Sequence, residues 1–237
     1  MRTLLAAGTL ACCVLALGVS RSPAYPGCAP GPDLRFRASD GTRLVGHRFG
    51  RGKVAVVLAH QYDADVCQWV PYGQRLATLG YTAIAFDFRG FGLSQHRSGA
   101  ALLRYDLDVA ASAKVARSLG ATKVILVGAS IGANAVVVAG ASVKPPADGV
   151  VSLSAPATFR LDAVSAAKRL KVPVRYVAGT LDEGGIYRQD ARTLYAATAA
   201  ADKAITLVPT AEHGVQLVGH PGTARSQVER FLRLHPR

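Results

Sequence analysis

The chain of 237 residues suits one domain, and half of its residues are hydrophobic, so it can bury a substantial core. Its formal net charge of +13 favours anionic neighbours, such as phospholipid headgroups or wall polymers. The basic residues are scattered and form no run of five, which argues against a nucleic-acid-binding surface. No His/Cys cluster has the spacing of a metal site, so no metal is expected.

The N-terminal segment differs from the rest of the chain. Arg2 precedes an uncharged hydrophobic stretch at residues 3–19, and a Pro- and Gly-rich segment follows it. This arrangement is typical of a secretory signal peptide, which we expect at residues 1–24 and expect to be cleaved. This stretch is slightly shorter than the roughly 20 residues that a membrane-spanning helix needs. An uncleaved membrane anchor formed by residues 3–19 remains the alternative. The sequence thus predicts a secreted or cell-envelope protein with an N-terminal arm at 25–33 and one domain at 34–237.

Export changes the interpretation of the cysteines. Cys12 and Cys13 would leave with the signal peptide, whereas Cys28 and Cys67 would remain as an even pair in an oxidising compartment. A disulfide bond between them would tie the arm to the domain. Two unpaired thiols are the alternative.

Strand and helix patterns alternate after residue 33. Asp40-Gly41 lies between two short β-type segments and predicts a hairpin. A hairpin followed by repeated strand–helix units predicts a mostly parallel sheet with helices on both faces. Hydrophobic runs of strand length occur at 54–60, 81–88, 123–128, 149–154, 172–179 and 204–209. Helical spacing occurs at 68–79, 101–119, 186–200 and 222–234, while 131–141 fits a helix or a strand.

Ser130 lies where one of these strands ends, in the pentapeptide Gly-Ala-Ser-Ile-Gly at 128–132. A serine at a sharp strand-to-helix turn projects its hydroxyl above the sheet, and its neighbours must be small. The alternative is a small residue that only completes the turn. A serine nucleophile needs a base, and Asp182 and His213 each follow a later predicted strand. The order Ser, acid, His therefore favours a nucleophile.

Four segments together are similar to the α/β-hydrolase superfamily, and the similarity spans about residues 34–235. The resemblance implies an α/β-hydrolase fold, with about eight strands in a twisted, mostly parallel sheet and an N-terminal hairpin. Many relatives insert a lid between the strands predicted at 149–154 and 172–179. Here only residues 155–171 lie between these strands, so any lid over the site should be minimal. The matching segments are Asp87–Ser94, Gly128–Gly132, Gly179–Asp182 and His213-Gly214.

The resemblance also implies the site residues. Ser130 would be the nucleophile, His213 the general base and then acid, and Asp182 the carboxylate that orients the imidazole. The backbone N–H groups of Gln61 and Ile131 would form the oxyanion hole. The rivals left open are His220 for the base, and Glu183 and Asp162 for the acid.

The oxyanion loop departs from the family pattern. Many members carry His-Gly there, whereas this chain has His60-Gln61, so the side chain at position 61 should narrow the pocket or add a polar group to it. His60, Tyr62 and Trp69 are candidate pocket residues. His60 has a second interpretation as a residue that organises the loop, and Trp69 as a core residue.

These features predict a secreted or envelope serine hydrolase that cleaves small or exposed carboxylic esters through an acyl-enzyme on Ser130. The reaction needs no metal or organic cofactor. The expected partners are a small ester substrate and, by electrostatic association, anionic envelope polymers, with no nucleic acid. A noncatalytic binding or scaffold protein, a dienelactone-hydrolase-like enzyme and a peptidase-like enzyme remain alternatives.

Overall fold

The computed structural model describes residue 28 and residues 34–235. The predicted signal peptide and all but Cys28 of the predicted arm therefore lie outside the described residues. No helix of the described part is long and apolar enough to cross a membrane.

The described residues form one open sheet of eight strands. The strands are β1 Leu34–Arg37, β2 Arg43–Phe49, β3 Val54–Ala59, β4 Thr82–Phe86, β5 Lys123–Ala129, β6 Gly149–Leu153, β7 Val174–Gly179 and β8 Lys203–Val208. Their order in the sheet is β1-β2-β4-β3-β5-β6-β7-β8. The first two strands form the predicted hairpin and pair antiparallel, and the remaining strands run parallel to one another. This arrangement confirms the predicted fold class.

In the described residues, seven α-helices cover the two faces of the sheet. They are α1 Val70–Thr78, α2 Tyr105–Ser118, α3 Ile131–Gly140, α4 Ala163–Ala167, α5 Ile186–Ala197, α6 Gln216–Gly219 and α7 Thr223–Leu234. The hydrophobic faces of α2 to α5 pack on one side, and those of α1, α6 and α7 pack on the other. The central strands are buried on both faces, which explains their continuous hydrophobic sequences.

The structure settles the segment whose periodicity was ambiguous. Residues 131–140 form helix α3, and nearly all of its residues are buried, so no polar stripe marks a helical period. Two predicted helices also begin later than their hydrophobic spacing implied. Single turns of 3₁₀ helix, Val66–Trp69 and Gly99–Leu103, precede α1 and α2.

Candidate active site

The nucleophile position is set by the turn between β5 and α3. Ser130 has φ 52° and ψ −118°, a backbone conformation that few residues other than glycine adopt. A side chain at Gly128 would collide with the backbone of Gly132, and one at Gly132 would collide with the backbone of Ala59. The two glycines therefore let strand and helix close around Ser130, as the sequence motif requires.

The acid and the histidine come together from the ends of β7 and β8. His213 Nδ1 lies 3.0 Å from both carboxylate oxygens of Asp182, which is only 1% exposed. Donation from Nδ1 to the carboxylate leaves Nε2 without a proton in the neutral imidazole. His213 thus has the tautomer that a general base needs.

Ser154, which follows β6, is a part of this arrangement that the sequence did not reveal. Its hydroxyl donates to Asp182 Oδ2 at 2.7 Å and accepts from the N–H of Gly214 at 3.1 Å. Ser154 therefore joins the acid to the loop that carries His213. The only sequence signal is its place at the carboxyl end of a buried strand.

Ser130 and His213 face one cavity of about 360 Å³. Within the part of the chain that the structure describes, no hydrogen bond joins the two side chains. Such catalytic hydrogen bonds often tighten only when substrate binds. The cavity is lined by Gln61, Tyr62, Ser130, Ile131, Pro156, Phe159, Glu183, Tyr187 and His213.

Tyr187 is a second lining residue that the sequence did not reveal. Its ring lies 4.5 Å from the imidazole of His213, between centroids, with the planes inclined at 51°. Burial raises the pKa of the Tyr187 hydroxyl, as does the nearby charge of Glu183, while a hydrogen bond with the Ser130 side chain opposes the rise. Tyr187 therefore touches both the nucleophile and the base.

Gln61 is held by hydrogen bonds at both its backbone and its side chain. Its N–H donates to Gln68 Oε1 at 3.0 Å, so this predicted oxyanion donor is engaged by the protein itself. Its own Oε1 accepts from the N–H of Val215 at 2.8 Å, beside the histidine loop. The other predicted donor is the N–H of Ile131, which begins α3 and so has no acceptor within the helix.

Of the three candidate pocket residues, the structure brings only Tyr62 to the cavity. His60 and Trp69 are completely buried and do not line it, because both pack beneath the loop. Burial lowers the pKa of His60 to about 4, although a hydrogen bond to Gln61 opposes that shift. Neutral His60 donates from Nδ1 to the Gln61 carbonyl at 2.6 Å and accepts at Nε2 from the N–H of Phe88 at 3.0 Å. His60 therefore organises the oxyanion loop.

The rival acids and base take other positions. His220 is exposed and pairs with Glu212, and Asp162 caps α4 by accepting from the N–H of Ser165 at 2.9 Å. Glu183 lines the cavity, but it is exposed, and Asp182 holds the histidine. The described residues contain no group of three side chains that could hold a metal ion.

The tract Asp87–Ser94 supports the site from below. Asp87 accepts from the N–H of Val66 at 2.9 Å and of Leu93 at 2.8 Å, which fixes the loops after β3 and β4. Arg89 is fully buried and forms ion pairs with Asp108 at 2.7 Å and Asp40 at 2.6 Å.

A disulfide bond joins Cys28 to Cys67, with the two Cα atoms 5.3 Å apart. Cys67 precedes Gln68 in the 3₁₀ turn at Val66–Trp69. The bond therefore ties residue 28 to the segment that holds the N–H of Gln61.

Comparison with known proteins finds hydrolases with a similar sequence or fold. Residues 50–163 match the family model described as serine aminopeptidase, S33. An esterase of Pyrococcus furiosus superposes with a TM-score of 0.74 at 18% identity, over 86% of this chain and 90% of that one. This chain has the α/β-hydrolase fold.

Two further solved structures share this fold. A thermophilic esterase from Thermogutta terrifontis has a TM-score of 0.68 at 16% identity, over 84% of this chain and 97% of that one. An enol-lactonase from Burkholderia xenovorans has a TM-score of 0.64 at 16% identity, over 84% and 96% of the two chains.

The segment between β6 and β7 contains one short helix, the five-residue α4. Asn134 of α3 donates to the carbonyls of Pro156 and Leu161, at 2.9 Å each, and so ties this segment down beside the cavity. The cavity consequently opens to solvent beside Phe159, which is 46% exposed.

Proposed function

We propose that this α/β-hydrolase cleaves carboxylic esters through an acyl-enzyme on Ser130. The observation that carries the proposal is the imidazole of His213, which buried Asp182 holds at 3.0 Å and which shares a cavity with the serine of the elbow. The esterases and the lactonase with the same fold support ester hydrolysis. The short segment beside the cavity favours small or exposed acyl groups.

The proposed reaction has two halves. The Ser130 oxygen attacks the ester carbonyl carbon while its proton passes to His213 Nε2, and Asp182 stabilises the imidazolium. Collapse of the tetrahedral intermediate breaks the bond to the alcohol, which leaves with the proton from His213. A water molecule deprotonated by His213 then attacks the acyl-enzyme, releases the acid and restores Ser130.

The oxyanion would accept from the N–H groups of Ile131 and Gln61. Losing one such donor costs roughly 3–4 kcal/mol of transition-state stabilisation. In the structure the N–H of Gln61 donates to Gln68, so substrate binding must replace the Gln68 oxygen with the substrate's own.

Hydrolysis of p-nitrophenyl acetate and labelling by a fluorophosphonate test this proposal. We expect turnover, and mass spectrometry should locate the label on Ser130. Ser130→Ala should lose both, whereas Ser142→Ala, at the exposed end of α3, should keep both. Folded protein that neither hydrolyses the ester nor takes the label would refute the proposal and favour a noncatalytic scaffold.

A peptidase is the second candidate, because the matching family model is described as a serine aminopeptidase. Aminoacyl p-nitroanilides measured beside the matching p-nitrophenyl esters separate the two candidates. We expect the ratio of the ester rate to the anilide rate to exceed the ratio of their intrinsic reactivities. A preference for the anilides would make the enzyme a peptidase.

We further propose that the protein acts outside the cytoplasm, after removal of residues 1–24, and that its basic surface associates with anionic envelope polymers. A groove beside β1 and β2 supports the second part, since Arg35, Arg37 and Arg43 line it. N-terminal sequencing of exported protein tests the cleavage. Retention on a polyanion column that salt abolishes tests the association, and no retention at low salt would contradict it.

A further inference from the structure

Two exposed aromatic side chains stand at the mouth of the cavity. Tyr62 is 44% exposed and Phe159 is 46% exposed, and both line the cavity with Ser130. Tyr62 comes from the loop after β3, and Phe159 from the short segment between β6 and β7. Large hydrophobic side chains that remain open to water beside a nucleophile form a surface on which part of a substrate can pack.

The two rings of this pair meet edge to face. The two ring centroids are 6.3 Å apart and the planes are inclined at 86°, so one ring presents its edge to the other. Phe91 contacts Tyr62 from another direction, at 5.5 Å and 80°, and so supports it. A third aromatic ring brought by a substrate can pack on this pair, because aromatic groups favour edge-to-face and offset contacts.

Arg160 adds a positive charge to the same place. Its guanidinium carbon lies 5.6 Å from the Tyr62 ring centroid and 5.1 Å from that of Phe159. Within the described residues, no carboxylate lies within ion-pair distance of Arg160. Its φ of 66° is in the region that residues other than glycine rarely adopt, so the backbone is held in an unusual conformation at this position.

We propose that the substrate is an ester with an aromatic ring that also carries an acid group. The ring packs on Tyr62 and Phe159, and the acid group pairs with Arg160. Glu183 also lines the cavity, beside Tyr187 and His213. Its negative charge repels the acid group of a substrate that binds with this group near Tyr187, away from Arg160. This inference rests on the proposed ester hydrolysis and names its substrate class.

The charge requirement is tested with matched ester pairs. Methyl benzoate and monomethyl terephthalate place the ring on the acyl side, whereas phenyl acetate and 4-carboxyphenyl acetate place it on the alcohol side. Comparing each variant with the wild-type enzyme on the same ester cancels differences in reactivity. In one of the two pairs, Arg160→Gln should lower kcat/KM about threefold for the carboxylated ester. The same substitution should leave kcat/KM unchanged for the uncharged ester of that pair.

Two controls accompany this measurement. The effect of Arg160→Gln should shrink in 1 M salt, because an exposed ion pair is screened. Arg230→Gln, on the exposed face of α7, should leave both esters unchanged. Equal effects of Arg160→Gln on charged and uncharged esters would overturn the assignment of the acid group.

The ring requirement is tested by Phe159→Ala, with Leu119→Ala as the matched loss of an exposed hydrophobic side chain. Phe159→Ala should lower kcat/KM for the aryl esters about tenfold. Hydrolysis of ethyl acetate, which has no ring, should change less than about twofold, since its ester contacts only the catalytic groups. If ethyl acetate is hydrolysed and Phe159→Ala affects aryl and alkyl esters alike, this inference fails while ester hydrolysis stands.

Binding decides the question even if no ester is cleaved. Calorimetry on Ser130→Ala protein should give tighter binding of monomethyl terephthalate than of methyl benzoate or monomethyl cyclohexane-1,4-dicarboxylate. The first comparison isolates the charge and the second isolates the ring. Equal affinities for all three would overturn the inference.

Discussion

Asp182 is 1% exposed and accepts hydrogen bonds from His213 and Ser154, whereas Tyr62 and Phe159 at the cavity mouth are nearly half exposed. The first region is built from the ends of neighbouring strands, so the sheet itself sets its geometry. The second is built from loop residues that touch one another through side chains. In the proposed reaction the buried region holds the catalytic base, and the exposed mouth is free to select the substrate.

The largest expected effect tests the buried region. Asp182→Asn should lower kcat for p-nitrophenyl acetate by about 10³ to 10⁴, because an amide no longer selects the required imidazole tautomer. Asp162→Asn is the matched control and should lower kcat less than about twofold, since Asp162 only caps α4. A large fall in kcat for Asp162→Asn with a small fall for Asp182→Asn would assign the acid role to Asp162. It would also contradict a catalytic role for the buried region.

Sequence could predict the buried region because parallel strands place their carboxyl ends at one edge. Ser130, Asp182 and His213 each follow a continuous hydrophobic run, so their place along the chain implied their place in space. The alternation of hydrophobic runs and helical spacing predicted the order of strand and helix units. It could not give Ser154, because a serine after β6 has no distinguishing pattern.

The mouth was only partly predictable, since Tyr62 was among the candidate pocket residues and Phe159 was not. Whether Tyr62 or Trp69 reaches the cavity depends on the turn of a loop, and that turn depends on buried His60 and its bonds to Gln61 and Phe88. Gln61 lines the cavity, and its side-chain oxygen accepts from the N–H of Val215, which lies 154 residues further along the chain. Such contacts join residues far apart in the chain and leave no period in the sequence.

The next effect concerns the stability of the loop that forms the mouth. Replacing Cys28 and Cys67 by serine should lower the free energy of unfolding by about 3 kcal/mol, because the unfolded chain gains freedom. Urea unfolding of oxidised wild-type and variant protein measures the difference. The variant should also lose activity at lower urea concentrations than those that unfold the sheet, since Cys67 adjoins Gln68. Coincident loss of activity and sheet structure would mean that the mouth is as firmly held as the buried region.

A third effect is a pH dependence that originates beneath the oxyanion loop. The pKa of His60 is about 4 in the folded protein, whereas it has its ordinary value of 6.5 in the unfolded chain. As the pH falls, His60 therefore binds a proton at a higher pH in the unfolded chain than in the folded protein. Stability is therefore complete above pH 6.5 and is lost as the pH falls towards 4. Between pH 7 and 4.5, His60 should account for about 2 kcal/mol of lost unfolding free energy.

Urea unfolding at the two pH values measures this loss in three proteins. His60→Gln should lose about 2 kcal/mol less than the wild type over the same interval. His96→Gln, at an exposed position, should lose as much as the wild type. An unchanged pH dependence in His60→Gln would show that His60 is not a buried neutral residue.

Gln61 connects the two regions, and its removal should have a smaller effect. Gln61→Leu leaves the N–H of Val215 without an acceptor and loosens the histidine loop, so kcat should fall about tenfold. The KM of p-nitrophenyl acetate should change little, because no substrate contact is removed. Gln95→Leu is the control, since it removes a similar bond to the N–H of Arg43, away from the cavity. An equal fall in both variants would assign Gln61 a general structural role.

The smallest expected effect lies at Tyr187, which contacts the nucleophile and the base. The Tyr187 side chain lies near that of Ser130, and a hydrogen bond between the two hydroxyls would hold Ser130 away from His213. Tyr187→Phe removes that bond and keeps the ring beside the imidazole. The rate of fluorophosphonate labelling should therefore rise about threefold, a factor within the net value of one hydrogen bond. Tyr195→Phe, on the same helix, should leave the rate unchanged. A slower reaction of Tyr187→Phe would mean that the hydroxyl assists the attack, and the buried region would then include Tyr187.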